Sequence, residues 1–226
     1  MTTLARLIAE TCRLRLLHEL EEQLGQWGYA RIAGVDEAGR GCLAGPVVAA
    51  AVIPDPRRLL PGVDDSKQLT PEERDRLALA IRATALGCCV CEVAPETIDT
   101  YNILEASRQA MRRALAGLNP RPECAVIDAV ALVDLGFPCF PVVRGDQISY
   151  AVACASILAK VERDRRMIEL DREYPQYGFA SHKGYAAPEH LRALDAYGPS
   201  PIHRLTFRSV VPRLDDPVES DGMVLT

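Results

Sequence analysis

Apolar residues recur at roughly helical spacing through the first 27 positions, at Leu4, Leu7, Ile8, Leu14, Leu17, Leu20 and Leu24, the pattern of an amphipathic helix. The stretch reads as one N-terminal helix over 1–28, closed by Gly28. The pattern then changes to two apolar runs of strand length, 32–36 and 46–53, linked by a glycine-rich loop. Thr70 and Glu73 stand at capping-box spacing with Pro71 at the first helical position, which predicts a helix to about Leu86, stopped by Gly87. A third strand follows at 88–93, then a helix over 95–118 ended by Asn119-Pro120, then short strands at 124–128 and 140–143. Residues 149–172 have uninterrupted helical character, with Ala, Ile and Leu on one side and Arg and Glu on the other, until Pro175. A last helix spans 188–197. Three strands followed by alternating helices and strands imply an α/β layer fold with a mixed sheet. The expected organisation is one domain over 1–213 with a helical C-terminal part at 188–213, and a mobile acidic tail at 214–226.

Composition narrows the function classes. Of 226 residues, 48% are hydrophobic and 25% charged, as in a folded globular chain. The longest apolar stretches, 42–53 and 150–159, fall short of the roughly 20 residues a membrane span needs. Glu10, Arg13 and Arg15 interrupt what would be the apolar region of a signal peptide, so the expectation is a cytoplasmic monomer without membrane attachment. Cys88 and Cys91 form a C-x-x-C, but on a strand positions three apart face opposite ways, which argues against a shared metal. The net charge of −5 looks unsuited to nucleic acid, yet it is unevenly spread. Residues 1–149 carry 16 basic and 20 acidic side chains, residues 150–213 carry 10 and 7, and residues 214–226 carry 4 acidic and no basic ones.

Three acidic positions stand at predicted strand ends: the Asp36-Glu37 pair, Asp128, and Asp146 just before the long helix. In open α/β sheets, ligands bind beyond the carboxyl ends of strands. A carboxylate cluster there either repels itself or holds divalent cations. Hard oxygen donors without Cys or His suit Mg²⁺ or Mn²⁺, and two such ions about 4 Å apart support in-line phosphoryl transfer. Taken singly, Asp146 reads as a helix cap; on spacing alone both readings stand. Asp164 is a competing fourth ligand. It lies about 15 residues into the helix, roughly 22 Å along its axis, too far to share a site with Asp146. It is expected to order Arg163 and Arg165 instead.

The run Gly34-Val35-Asp36-Glu37-Ala38-Gly39-Arg40-Gly41, continuing through Leu43-Ala44-Gly45-Pro46-Val47, closely resembles the signature of ribonuclease HII. Further segments resemble the same family: Asp65-Ser66-Lys67-Gln68-Leu69, Tyr101-Asn102-Ile103, Ala155-Ser156-Ile157-Leu158-Ala159-Lys160-Val161 with Arg163-Asp164, and Tyr174-Pro175 through His182-Lys183-Gly184-Tyr185 to His203-Arg204. The resemblance implies a ribonuclease H-like mixed sheet flanked by helices. It also implies an endoribonuclease that hydrolyses the RNA strand of RNA/DNA hybrids and cuts 5′ of single ribonucleotides in duplex DNA, leaving 5′-phosphate and 3′-hydroxyl ends. Its partners would be those nucleic acids, and its role the removal of RNA and misincorporated ribonucleotides from DNA. Two Mn²⁺ or Mg²⁺ ions would be bound by Asp36, Glu37, Asp128 and Asp146. Gly39, Arg40 and Gly41 would contact the ribose 2′-hydroxyl, the group that separates RNA from DNA, glycine permitting close backbone approach. Tyr185 matches a tyrosine that stacks on the following sugar. Ser66, Lys67, Lys160, Arg163 and Lys183 resemble contacts to the substrate backbone. His182, His190 and His203 read as structural hydrogen-bonding residues, with His182 the nearest to a phosphate contact.

Departures from the family pattern are Cys42 for proline, Ala129 for glycine after Asp128, Ala186-Ala187 for Gly-Thr, and Cys154 on an alanine-like helix face. None removes a carboxylate. The sister family, ribonuclease HIII, carries an extra N-terminal domain, for which the roughly 30 residues before Gly34 are too few. A junction resolvase or transposase of the same fold would share the carboxylates without needing Gly-Arg-Gly and Tyr185. A hybrid-binding protein without catalysis would have no use for all four carboxylates. Residues 214–226 lack a Gln-based clamp-binding motif, so no clamp partner is expected.

Overall fold

Valine-, alanine- and isoleucine-rich runs bounded by glycine and proline form β1 (Ile32–Ala38) and β2 (Val47–Ile53), and a cysteine-rich run forms β3 (Gly87–Val93); the three make an antiparallel meander. β4 (Cys124–Asp128) and β5 (Cys139–Val142) add in parallel on the other side of β1, giving the order β3-β2-β1-β4-β5. The computed structural model describes residues 3–211, so the expected acidic tail lies outside the described residues. The mixed sheet flanked by helices is the expected architecture.

Alternation along β1 divides the core. Ala33 and Val35 join Ala125 and Ile127 under α5 (Ile103–Ala116), where Ala106, Ala110 and Met111 fill the layer. The opposite face lies under α6 (Tyr150–Glu173) and α3 (Pro71–Thr84), with Ala50, Val52, Leu77, Ile81 and Ile157 between them. The capping box of α3 forms as the sequence predicts, Thr70 Oγ1 and the Glu73 carboxylate each meeting the other's backbone amide.

Two helices differ from expectation. The N-terminal helix is two, α1 (Thr3–Leu17) and α2 (Glu19–Gln26), divided at His18. The 95–118 helix is α4 (Pro95–Tyr101) and α5, broken where Asn102 takes a φ of 82° and caps the Glu105 amide at 3.1 Å. Asparagine tolerates the left-handed region and competes for backbone amides, so one residue interrupts an otherwise continuous periodicity.

The first ten residues of α6 are all buried, whereas the sequence suggests a two-sided helix. Small residues make this burial possible, because Ala151, Ala153, Ala155 and Ser156 let the helix approach the sheet. At the crossing, a Cβ added to Gly34 would stand 2.0 Å from the Ala151 carbonyl carbon. Glu21 of α2 fixes the start of α6: its Oε1 accepts from Ser149 Oγ at 2.5 Å and from the Ala151 amide at 2.9 Å. A carboxylate there satisfies amides left unpaired at a helix N-terminus and complements the helix dipole.

After α6, α7 (Phe179–His182) and α8 (Pro188–Tyr197) fold back, and Tyr177 and Phe179 pack with Ala44 and Met167. Cys89 and Cys91 face one core while Cys88 faces the other, as the C-x-x-C argument requires. Among the described residues no helix is long and apolar enough to cross a membrane.

Candidate active site

Register places two of the expected carboxylates side by side. Val35 of β1 pairs with Ile127 of β4, and Asp36 and Asp128 follow one residue later on these parallel neighbours, on the face that α6 covers. On the other side, β2 presents Ala50 opposite Asp36 and Ala49 opposite Glu37, so small side chains flank the acids. Asp128 Oδ1 accepts the Gly145 amide at 2.7 Å, which draws in the turn bearing Asp146. Asp146 is buried, and its Oδ2 meets Lys67 Nζ at 3.2 Å. Glu37 Oε1 accepts from Arg40 Nη1 at 3.1 Å.

The electrostatics are those of a crowded anionic centre. Burial pushes the Asp36 carboxyl well above the usual carboxylate range, and Glu37 and Asp128 add like-charge repulsion. Glu37 is raised by burial, with Arg40 opposing; Asp146 is raised by burial, with Lys67 opposing. Glu37 Oε2 is buried without a hydrogen-bond partner. An orphaned carboxylate oxygen beside two further carboxylates is a donor set that fits a hard divalent cation. Among the described residues no three Asp, Glu, His or Cys side chains close into a ready-made metal cage. Asp164 stands apart, paired with Lys160 at 2.8 Å and Arg74 at 3.9 Å rather than with the adjacent arginines.

Two completely buried arginines hold the loop after β1. Arg163 donates to the carbonyls of Pro46 and Ala44, both at 3.2 Å, and Arg204 to those of Arg40, Gly45 and Pro46 at 2.9 to 3.2 Å. Gly39, at φ 95°, rests on Arg163: a Cβ there would lie 1.9 Å from Nε. The expectation that Arg163 touches substrate is therefore corrected, since its side chain supports the loop from beneath. Ser66 is likewise buried, bonded to Ser156 Oγ at 2.8 Å, and Ser156 in turn bonds Asp36. Arg40, Gly41 and Lys67 remain at the surface.

Tyr185 is half-exposed at the rim, with Lys160 Nζ 5.6 Å and the Arg163 guanidinium 5.7 Å from its ring centre. Its hydroxyl pairs with Cys42, and burial pushes that thiol upward. Lys183 Nζ turns back onto the Ala180 carbonyl. His182 does not face a phosphate position, because Nε2 meets the Tyr177 carbonyl at 2.8 Å and Nδ1 the Gly184 amide at 3.2 Å. The glycine expected after Asp128 has a physical reason here: Ala129 sits at φ 49°, a region that costs an L-residue about 1 kcal/mol or more.

Sequence reasoning missed Ser156, Asp65 and Arg204. Asp65 is buried, accepts from Gln147 Nε2 at 3.3 Å and lies 3.8 Å from Lys67 Nζ. All three lay within segments singled out for resemblance, and only Ser156, a polar residue inside the apolar run 150–159, carried a local signal of its own.

The profile of the family described as Ribonuclease HII matches residues 33–210. The chain is 50% identical over 211 residues to a ribonuclease HII of Desulfitobacterium hafniense, covering 93% of this chain and 81% of that protein. It is 52% identical over 194 residues to one from Geobacillus kaustophilus, covering 86% and 74%. Among solved structures, the ribonuclease H2 of Pyrococcus horikoshii superposes with a TM-score of 0.69 at 30% identity, over 80% of this chain and 95% of the other.

Proposed function

Because the chain belongs to the ribonuclease HII family, and so is an endoribonuclease acting on RNA/DNA hybrids, we propose that its reaction centre is Asp36, Glu37, Asp128 and Asp146. It also cuts duplex DNA on the 5′ side of a single embedded ribonucleotide, leaving 5′-phosphate and 3′-hydroxyl ends. The observation that carries this reading is the side-by-side placement of Asp36 and Asp128 on parallel strands, next to an unpaired Glu37 oxygen. Two Mg²⁺ or Mn²⁺ ions held by these residues would supply a water nucleophile at neutral pH and stabilise charge on the departing 3′-oxygen. The chain's own groups do the rest. The four carboxylates bind and orient, and Lys67 offsets their charge beside Asp146. The backbone of Gly39, Arg40 and Gly41 reads the 2′-hydroxyl. The Tyr185 ring sets the next sugar for in-line attack.

The test is a DNA duplex with one ribonucleotide, its products mapped at nucleotide resolution. Cleavage 5′ of the ribonucleotide with all-DNA duplex intact is the expected result, and Tyr185→Ala should lower the rate by about 10²-fold while changing duplex affinity far less. All-DNA cleavage at a comparable rate would point to another nuclease of this fold.

Duplex binding should depend on salt despite the acidic chain. Lys160, Arg165, Arg166, Arg172 and Lys183 lie on the basic 150–213 portion. If about four phosphates are neutralised, affinity falls about 10²-fold between roughly 50 and 200 mM salt. A flat titration would sink this placement.

A further inference from the structure

The three histidines behind the Tyr185 loop have both ring nitrogens engaged, and their partners decide where each hydrogen sits. His190 Nδ1 lies 2.8 Å from the Tyr185 carbonyl, which only accepts, so Nδ1 carries the hydrogen. The Ser200 amide donates to His203 Nδ1 at 2.9 Å, so that nitrogen is bare and Nε2 is protonated. The remaining contact, His203 Nε2 to His190 Nε2 at 3.0 Å, then has one donor and one acceptor. A directed chain runs from Ser200 through His203 and His190 to the Tyr185 carbonyl. Ser200, His203 and His190 are all buried, and burial pushes His190 below its usual value and His203 down to about 4, which keeps both rings neutral.

The loop needs such support. Lys183 and Gly184 take φ of 52° and 80°, and outside the chain the Tyr185 backbone is held by its amide on the His182 carbonyl at 3.0 Å and by its carbonyl, which also accepts the amide of Ala187, two residues on in the same loop, at 2.8 Å. The Gly184 carbonyl accepts from the Leu43 amide at 2.8 Å, tying this loop to the one after β1. The adjacent residues His203 and Arg204 therefore reach both recognition loops, His203 through His190 to Tyr185 and Arg204 directly to the carbonyls of Arg40 and Gly45.

We propose that His190 and His203 are positioning residues that set the backbone plane of Tyr185, and through it the ring's place against the substrate sugar. The inference rests on the role given to Tyr185 under the proposed function. His190→Phe keeps an aromatic ring, somewhat larger than imidazole, and removes both nitrogens; His190→Asn retains a donor near Nδ1. On the single-ribonucleotide duplex, His190→Phe should lower kcat about 10²-fold with little change in KM, and His190→Asn should recover about tenfold of that loss. In a Tyr185→Ala background, His190→Phe should cost nothing further, as expected when one residue acts through another. Losses that multiply in the double variant, or a fully active His190→Phe enzyme beside an impaired Tyr185→Ala enzyme, would overturn the proposal. A fully active Tyr185→Ala enzyme would instead overturn the role of Tyr185 itself, and that single variant tells the two failures apart. Should His190→Phe not fold, imidazole ¹H–¹⁵N correlation spectra of the unaltered protein decide. Nδ1–H for His190 and Nε2–H for His203 at neutral pH are expected, and the opposite tautomers or a charged ring would refute the chain.

Discussion

Asp36→Asn is expected to lower cleavage of an RNA/DNA hybrid by about 10³-fold or more while leaving the fold intact. A divalent ion would contribute several kcal/mol of transition-state charge stabilisation, and removing one of the carboxylates that would hold it forfeits much of that. Glu37→Gln, Asp128→Asn and Asp146→Asn should lose activity in the same way. Stability should move oppositely. A buried carboxyl whose pKa is raised on folding costs stability at every pH above its unfolded value, so the neutral amide relieves repulsion from Glu37 and Asp128. Thermal melting without metal should therefore be unchanged or higher for Asp36→Asn. Asp164→Asn is the contrast: it breaks a half-buried ion pair with Lys160, worth about 1 kcal/mol at most, and should keep most activity. Should Asp164→Asn prove as inactive as Asp36→Asn while Asp146→Asn still cleaves, the fourth carboxylate has been misassigned.

Gly34→Ala is expected to be the most damaging single-methyl change to stability. The added Cβ would stand 2.0 Å from the Ala151 carbonyl carbon and 2.2 Å from the Val152 amide nitrogen, both backbone atoms that no rotamer change can move aside. Either β1 or α6 must shift, and β1 is held by β2 on one side and β4 on the other. The cost should reach about 4 kcal/mol, beyond ordinary overpacking, and lower Tm by about 10 °C. Activity should fall too, since the same displacement separates Asp36 on β1 from Asp146 just ahead of α6. For stability alone, Gly41→Ala is the control, because nothing lies within 4 Å of the Cβ it would add. A Gly34→Ala protein melting within a few degrees of the unaltered chain would show that the β1–α6 approach is not rigid.

The sequence by itself determined the elements whose signals are local. Strand alternation, the Thr70–Glu73 capping box and the glycine and proline stops depend on residues within a turn of one another, and each appears within one or two positions of its expected place. It also singled out the four acids proposed as the reaction centre, because a carboxylate at or just beyond the end of an apolar run stands out wherever the run folds. What surrounds those acids was decided in three dimensions. Arg163 reads as a surface cation on a helix, but the carbonyls that bury it come from Ala44 and Pro46, more than a hundred residues earlier. Ser66 reads as a backbone contact, yet Ser156 closes over it from 90 residues away. The tautomers of His190 and His203 depend on a serine amide and a tyrosine carbonyl brought together by the fold-back of α7 and α8. Periodicity reports which face of an element is apolar. Whether a polar group on it is solvated, paired or buried depends on the hydrogen-bond partners that packing brings from distant parts of the chain, and only the tertiary structure supplies them.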